Sequence, residues 1–318
     1  MARCYWEGIG VERDYNEAMK WYEAAAEQGQ KSAKEKIDEW KDTWWDGNTA
    51  IYSKNREVFK GIWDNYLYEY EIIEGTKYIA ESACFDMEDE NDCIYLSKLT
   101  IPHSVILIGN NPFGCQMSKV VCRSPFFEVH NKTLYTKGKK ELIQCFNHEI
   151  DEFYIPEGVE VIRNYAFYSC PFKRIVIPSS VKEIGANPFV QTGIREEDKQ
   201  ELEIVSYSSN YIVYKKTLYD GNKIVSYWGN DDFFVVPYGV QIIGNKAFWM
   251  SCIKSIYIPN SIKSISEDAF YWNHQLENIK IPFGELQRFK MLVPESMHNL
   301  IEETLYGQIK SSENNTDV

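Results

Sequence analysis

From about residue 67 the chain repeats one arrangement of apolar and polar positions. Two apolar residues flank a variable one, then come a proline, V/I-x-x-I-G and A/P-F. The copies are LTIPHSVILIGNNPF from Leu99, FYIPEGVEVIRNYAF from Phe153, IVIPSSVKEIGANPF from Ile175, FVVPYGVQIIGNKAF from Phe234 and IYIPNSIKSISEDAF from Ile256. The alternation of Phe153 and Ile155, or Ile256 and Ile258, with outward residues predicts short, half-buried strands. Stacked copies predict a parallel sheet. Proline has no N–H to donate, so it should end each strand. The V/I-x-x-I and Phe positions should turn inward, where each buried side chain contributes about 1.5–3 kcal/mol. Gly109, Gly185 and Gly244 are read as permitting a tight turn.

The period is 22 residues from Pro156 to Pro178 and from Pro237 to Pro259, and 23 from Pro259 to Pro282. These spacings lie within the leucine-rich-repeat range. Two gaps are longer, 54 residues from Pro102 to Pro156 and 59 from Pro178 to Pro237. Each follows an N-P-F copy and holds a similar insert, NKTLYTKGKKELIQCF or KKTLYDGNKIVSYWGN. The turns at Lys137-Gly138 and Asp220-Gly221-Asn222 predict a β-hairpin in each. A degenerate copy, YEIIEGTKYIAESAC from Tyr70, carries Ile73 at the proline position, and IKIP from Ile279 opens a final half copy. Both read as capping ends.

This pattern, with N-P-F followed by a T-L-Y hairpin, resembles the BspA-like leucine-rich repeats of many bacterial surface proteins and some protist ones. FGELQRFKMLVPESMHNLIEE resembles the helical cap that closes such arrays, since an uncovered last rung would expose apolar residues. Ahead of the array, YWEGIGVERDYNEAMKWYEAAAEQGQKSA resembles a Sel-like repeat, a relative of the tetratricopeptide repeat. There Ala18, Trp21, Tyr22, Ala25 and Ala26 fall on one helical face, which the Asp14 region should open and Gly29 close.

The expected fold is α+β: a β-rich leucine-rich-repeat solenoid with short parallel strands and two inserted hairpins, preceded by a short helical repeat and closed by a C-terminal helix. Its expected parts are a helical fragment over 1–40, an aromatic junction over 41–66, the solenoid and cap over 67–306, and a disordered tail over 307–318. Residues 41–66 are rich in Trp and show no helical or strand period.

Composition narrows the function. The 34 basic and 47 acidic residues give a net charge of −13, which repels a phosphate backbone and removes nucleic acid as a partner. No stretch approaches the roughly 20 apolar residues of a membrane span. As written, the chain is expected to be cytoplasmic, or at the cell surface or secreted if an export signal lies upstream. Eight cysteines show no CxxC pair and no zinc spacing, and Cys170 and Cys252, in AFYSC and AFWMSC, read as reduced core residues. The five histidines never recur beside a repeated Asp, Cys or Ser, and the acidic runs at 88–91 and 196–203 lack the D-x-D-x-D-G alternation of a calcium loop. No phosphate-binding loop, dinucleotide fingerprint or nucleophile elbow occurs. A non-catalytic protein with no cofactor and no metal is expected.

Identical outward strand positions of a solenoid line one extended face. Beside the proline they are Thr100, Tyr154, Val176, Val235, Tyr257 and Lys280; two residues earlier they are Lys98, Glu152, Arg174, Phe233, Ser255 and Asn278. Tyr154, Arg174, Phe233, Tyr257 and Lys280 are the candidate partner-binding residues, because aromatic and Arg side chains dominate interface energetics. Equally, they fit sheet-face residues that stabilise cross-strand packing. Tyr135, Tyr214, Tyr219, Tyr227 and Trp228 form a second candidate surface if the hairpins project them. The expected function is a protein-interaction scaffold, with a surface adhesin or glycan-binding protein as the alternative.

Overall fold

The computed structural model describes residues 1–47, 49–63, 67–84, 96–113, 117–190 and 202–305. The chain forms two compact units, 1–147 and 148–318. Cys93, Cys115, the acidic run at 88–91, most of that at 196–203, and the tail from 307 lie outside the described residues. Among the described residues, no helix is long and apolar enough to cross a membrane.

The first unit opens with helices α1 (Ala2–Glu7), α2 (Tyr15–Glu27) and α3 (Lys31–Trp40). Asp14 caps α2 by accepting from Glu17 N, which satisfies one of the helix's orphan donors. The inward face is Tyr15, Ala18 and Met19, whereas Trp21 is 41 % exposed and not part of it. The helices dock on the next segment. The Asn16 side chain accepts from Trp45 N and donates to Trp45 O, imitating a neighbouring strand and covering a sheet edge. Trp63 Nε1 donates to Tyr15 Oη at 2.8 Å, and Trp6, Tyr15, Trp40 and Trp45 pack edge to face or tilted around them.

Residues 41–66, periodless in sequence, hold three antiparallel strands, Thr43–Asp46, Ala50–Ser53 and Val58–Ile62. The two inserts do the same. Each expected hairpin is a three-stranded meander, Phe127–His130, Thr133–Thr136 and Glu141–Cys145 in the first unit, and Tyr211–Tyr214, Thr217–Asp220 and Lys223–Tyr227 in the second. The register shifts between Ile51 and Tyr52, Leu134 and Tyr135, and Leu218 and Tyr219. AIYS, TLYT and TLYD are therefore one motif in three copies, bulged at the same place.

Each rung crosses two ladders. On the proline side, parallel strands run Glu69–Glu71, Lys98–Ile101 and Lys119–Cys122 in the first unit. In the second they run Glu152–Tyr154, Arg174–Ile177 and Glu203–Ser206, and separately Phe233–Val235, Ser255–Tyr257, Asn278–Pro282 and Ile301–Thr304. On the glycine side, two-residue strands such as Tyr78–Ile79 and Leu107–Ile108, or Ile242–Ile243 and Ser264–Ile265, continue from the last strand of a meander. The long proline gaps thus contain a hidden rung, KVVC or EIVS. No proline follows it because Arg123 N and Tyr207 N donate to Ile101 O and Ile177 O of the rung before. The same logic explains Ile73, whose N–H donates to Tyr52 Oη.

That phenol lies in a chain of hydroxyls, 2.7 Å from Tyr70 Oη, which donates to Asp46 at 2.7 Å. Burial pushes Tyr52 up to about 12, against the pull of its hydrogen bonds, and Tyr70 higher still. An acid whose folded value exceeds its ordinary one near 10 stabilises the fold fully below pH ~10 and loses that contribution as pH rises through the folded value. Alkaline unfolding should therefore steepen between about pH 10 and 12. Tyr52→Phe, which strands Ile73 N–H and removes one of the two hydrogen bonds of the Tyr70 hydroxyl, should cost about 1–3 kcal/mol at neutral pH and flatten that slope. Urea unfolding at several pH values reads both effects.

The glycines answer to a different constraint from the one expected. Gly109, Gly185 and Gly244 lack positive φ; a Cβ on Gly109 would lie 2.5 Å from Glu81 N, one on Gly244 2.7 Å from Ile224 O, and one on Gly185 against Asn164. They are required by close approach of the preceding rung. The repeat's phenylalanines fill the interior as expected. Phe113, Phe167, Phe189, Phe248 and Phe270 are buried, and Phe167 stacks on Phe189 as Phe248 does on Phe270. Cys170 is buried but Cys252 is exposed, because AFWMSC carries one residue more than AFYSC and places Ser251, not Cys252, at the inward position.

The N-P-F copies precede meanders for a structural reason. Buried Asn187 donates to Lys246 O at 2.8 Å and accepts from Ser226 Oγ. Buried Asn111 accepts from Gln144 Nε2 at 2.8 Å, and Gln144 also bonds both backbone groups of Phe113. Both asparagines have positive φ, a conformation Asn tolerates better than most residues. Each pins its rung to the third strand of the meander that follows. The helical cap is short, Leu286–Lys290 with a 3-10 turn over Glu295–Leu300. Arg288 fastens it by donating to Ile262 O and Asn260 O.

Candidate binding face

The five candidate residues lie on two separate proline-side ladders of the second unit. In the first, Tyr154 is 60 % exposed and its Oη donates to Glu152 Oε2 at 2.6 Å, a bond that raises its pKa. Arg174 sits in register between Glu152 and Glu203, with Nε 3.2 Å from Glu203 Oε2. It is half-buried, and its charge is neutralised by its neighbours rather than offered freely.

In the second ladder Phe233 is 37 % exposed, and Lys280 Nζ lies 5.7 Å from its ring centroid, within cation–π range. Tyr257 departs from expectation. It is 5 % exposed, flanked in register by Val235 and Lys280, and burial raises its pKa. Its strand has a hydrogen-bonded neighbour on both sides, and the buried ring packs on the face between them.

Sequence reasoning missed Tyr207 and Tyr238, 65 % and 82 % exposed. Tyr207 stands at the proline position of the hidden rung, close enough to Tyr154 to raise its pKa electrostatically. Tyr238 follows Pro237 in the turn. The signal for Tyr207 was available, a bulky aromatic where most copies place proline; the position of Tyr238 varies among copies and carries no such signal.

The second candidate surface does not project as expected. Tyr135, Tyr219 and Tyr227 are buried, the first two at the shared bulge, and Trp228 Nε1 donates to Leu202 O. Tyr214 alone of the five is strongly exposed. Elsewhere in this unit, Lys246 Nζ lies 5.2, 4.8 and 5.2 Å from the ring centroids of Tyr165, Trp249 and Tyr271, so the chain fills its own aromatic cage. Among the described residues, no group of three or more His, Cys, Asp or Glu side chains is placed to hold a metal ion.

Parallel ladders, inward phenylalanines and a rung of about two dozen residues define a leucine-rich-repeat solenoid. The chain belongs to the BspA type leucine rich repeat region family, whose model matches residues 66–195, 140–215 and 227–316, and a Sel1 repeat matches residues 1–30. No curated protein matches. Among solved structures, a leucine rich cell surface protein from Faecalibacterium prausnitzii is similar at 18 % identity, over 82 % of this chain and 94 % of that one, with a TM-score of 0.33. A leucine-rich repeat protein from Eubacterium ventriosum matches at 18 % identity over 82 % and 77 %, with a TM-score of 0.40. The pneumococcal vaccine antigen PcpA matches at 17 % identity over 76 % and 68 %, with a TM-score of 0.35.

Proposed function

We propose that the chain is a non-catalytic protein-binding scaffold whose partner docks on the proline-side ladders of the second unit. The observation that carries this reading is the exposure of Tyr154, Tyr207, Phe233 and Tyr238 beside carboxylates at Glu152, Glu203 and Asp232. Large aromatic side chains in water, on a rigid sheet and rimmed by polar groups, are the anchors around which interfaces form.

Tyr154→Ala/Tyr207→Ala/Phe233→Ala leaves the interior untouched and should keep the wild-type melting curve. In affinity capture from the source organism's lysate it should lose the protein that the wild type retains. Unchanged capture by the folded variant would place binding elsewhere. The exposed phenol rings also suit stacking on sugars, the adhesin reading. Binding on a glycan array that disappears in the same variant would favour it over a protein partner.

A further inference from the structure

One rung of the first unit breaks the repeat's polarity. The residue after the inward Val, Ile or Thr is polar in the other copies: Lys77, Glu160, Lys182, Gln241 and Lys263. In the copy from Leu99 it is Ile106, followed by Leu107, and these side chains are 53 % and 55 % exposed. Phe126, 51 % exposed, lies beside them, since Ser124 Oγ donates to Val105 O and accepts from Phe126 N.

The equivalent place in the second unit shows what the fold itself requires. There the residues are Lys182, Glu183 and Asn210; Asn210 Nδ2 donates to Lys182 O, and a serine again bonds the inward valine's carbonyl, Ser208 to Val181. The same local structure is thus built with polar side chains. Ile106, Leu107 and Phe126 are not needed for folding at these positions, and leaving them in water has a cost.

The rim of the patch is basic, in a chain of net charge −13. Lys77 is exposed, and its carbonyl accepts from Ile106 N and Leu107 N. Lys137 N donates to Phe126 O, in a turn that also carries Lys139 and Lys140. Glu128 pairs with Lys137 at 3.1 Å, which leaves Lys77 and Lys139 as the charges this patch offers a ligand. Three such side chains bury on the order of 300 Å². A standard interface buries about 800 Å² per partner, too much for a second copy to find here but well matched to a short peptide.

We propose that this patch binds an extended acidic peptide segment of a partner protein, with apolar side chains on Ile106, Leu107 and Phe126 and carboxylates on Lys77 and Lys139. The probe is a random-peptide phage library panned on the full chain and counter-selected on Ile106→Lys/Leu107→Glu/Phe126→Asn, which installs the residues of the equivalent rung. The consensus should combine apolar residues with Asp or Glu. A synthetic consensus peptide should bind the wild type, weaken as salt rises, lose about tenfold or more in affinity for the triple variant, and weaken for Lys77→Glu/Lys139→Glu. The melting curve of the triple variant should match the wild type; if it does not, Phe126→Asn alone carries the comparison. A consensus without acids, or equal binding to variant and wild type, overturns the proposal. A wild-type dimer that the variant dissolves, or adsorption to anionic phosphatidylserine vesicles that the variant abolishes, overturns it in favour of another occupant.

Discussion

Gly109→Ala should destabilise the first unit by about 3 kcal/mol or more, at or above the top of the range for overpacked interiors. The new methyl would sit 2.5 Å from Glu81 N and 2.8 Å from Glu81 Cα. Both are backbone atoms of the preceding rung, held by the hydrogen bond from Gly109 N to Ile79 O, and no side-chain rotation relieves the clash. Gly75→Ala is the control. Its φ is +102° with open space around the added carbon, so it should cost only the roughly 1–2 kcal/mol of a left-handed residue. Urea denaturation of both variants reads the difference. If the two cost the same, close approach of rungs does not explain Gly109.

Asn187→Ala should cost about 2 kcal/mol, because it strands the Ser226 hydroxyl, at roughly 1–3 kcal/mol for a buried group left unpaired, and takes one of two hydrogen bonds from the Lys246 carbonyl, which Trp249 N still reaches. Alanine is also less tolerant than Asn of the positive φ there. Hydrogen exchange should quicken first in Lys223–Tyr227, the strand that Asn187 pins, before the unit unfolds as a whole. A loss under about 1 kcal/mol would mean that the meander is held by its own strands, and that the asparagine of N-P-F is incidental to it.

The sequence displayed the rungs because proline and phenylalanine recur at fixed places, and those positions end strands and fill the interior as their chemistry demands. It concealed the rungs that lack proline. In KVVC and EIVS the next N–H is used in a hydrogen bond to the preceding rung, so the marker is absent for the same physical reason that it is present elsewhere. The first meander was hidden likewise: AIYS shares only its tyrosine with TLYT and TLYD, although the bulge falls at the same place. Among the candidate site residues, the alternation correctly put Tyr154 and Phe233 at the surface. It does not reveal how deeply an outward ring in a central strand is buried, as Tyr257 is, nor that hydrogen bonding divides the outward face into separate ladders.

A photo-crosslinking amino acid placed in turn at Tyr154, Tyr207 and Phe233, with Ile212 and Tyr214 on the meander as exposed controls, tests the docking face most directly. The first three positions should yield an adduct with the same partner protein, and the two controls should not. Adducts from the meander positions, with none from the ladder positions, would contradict it.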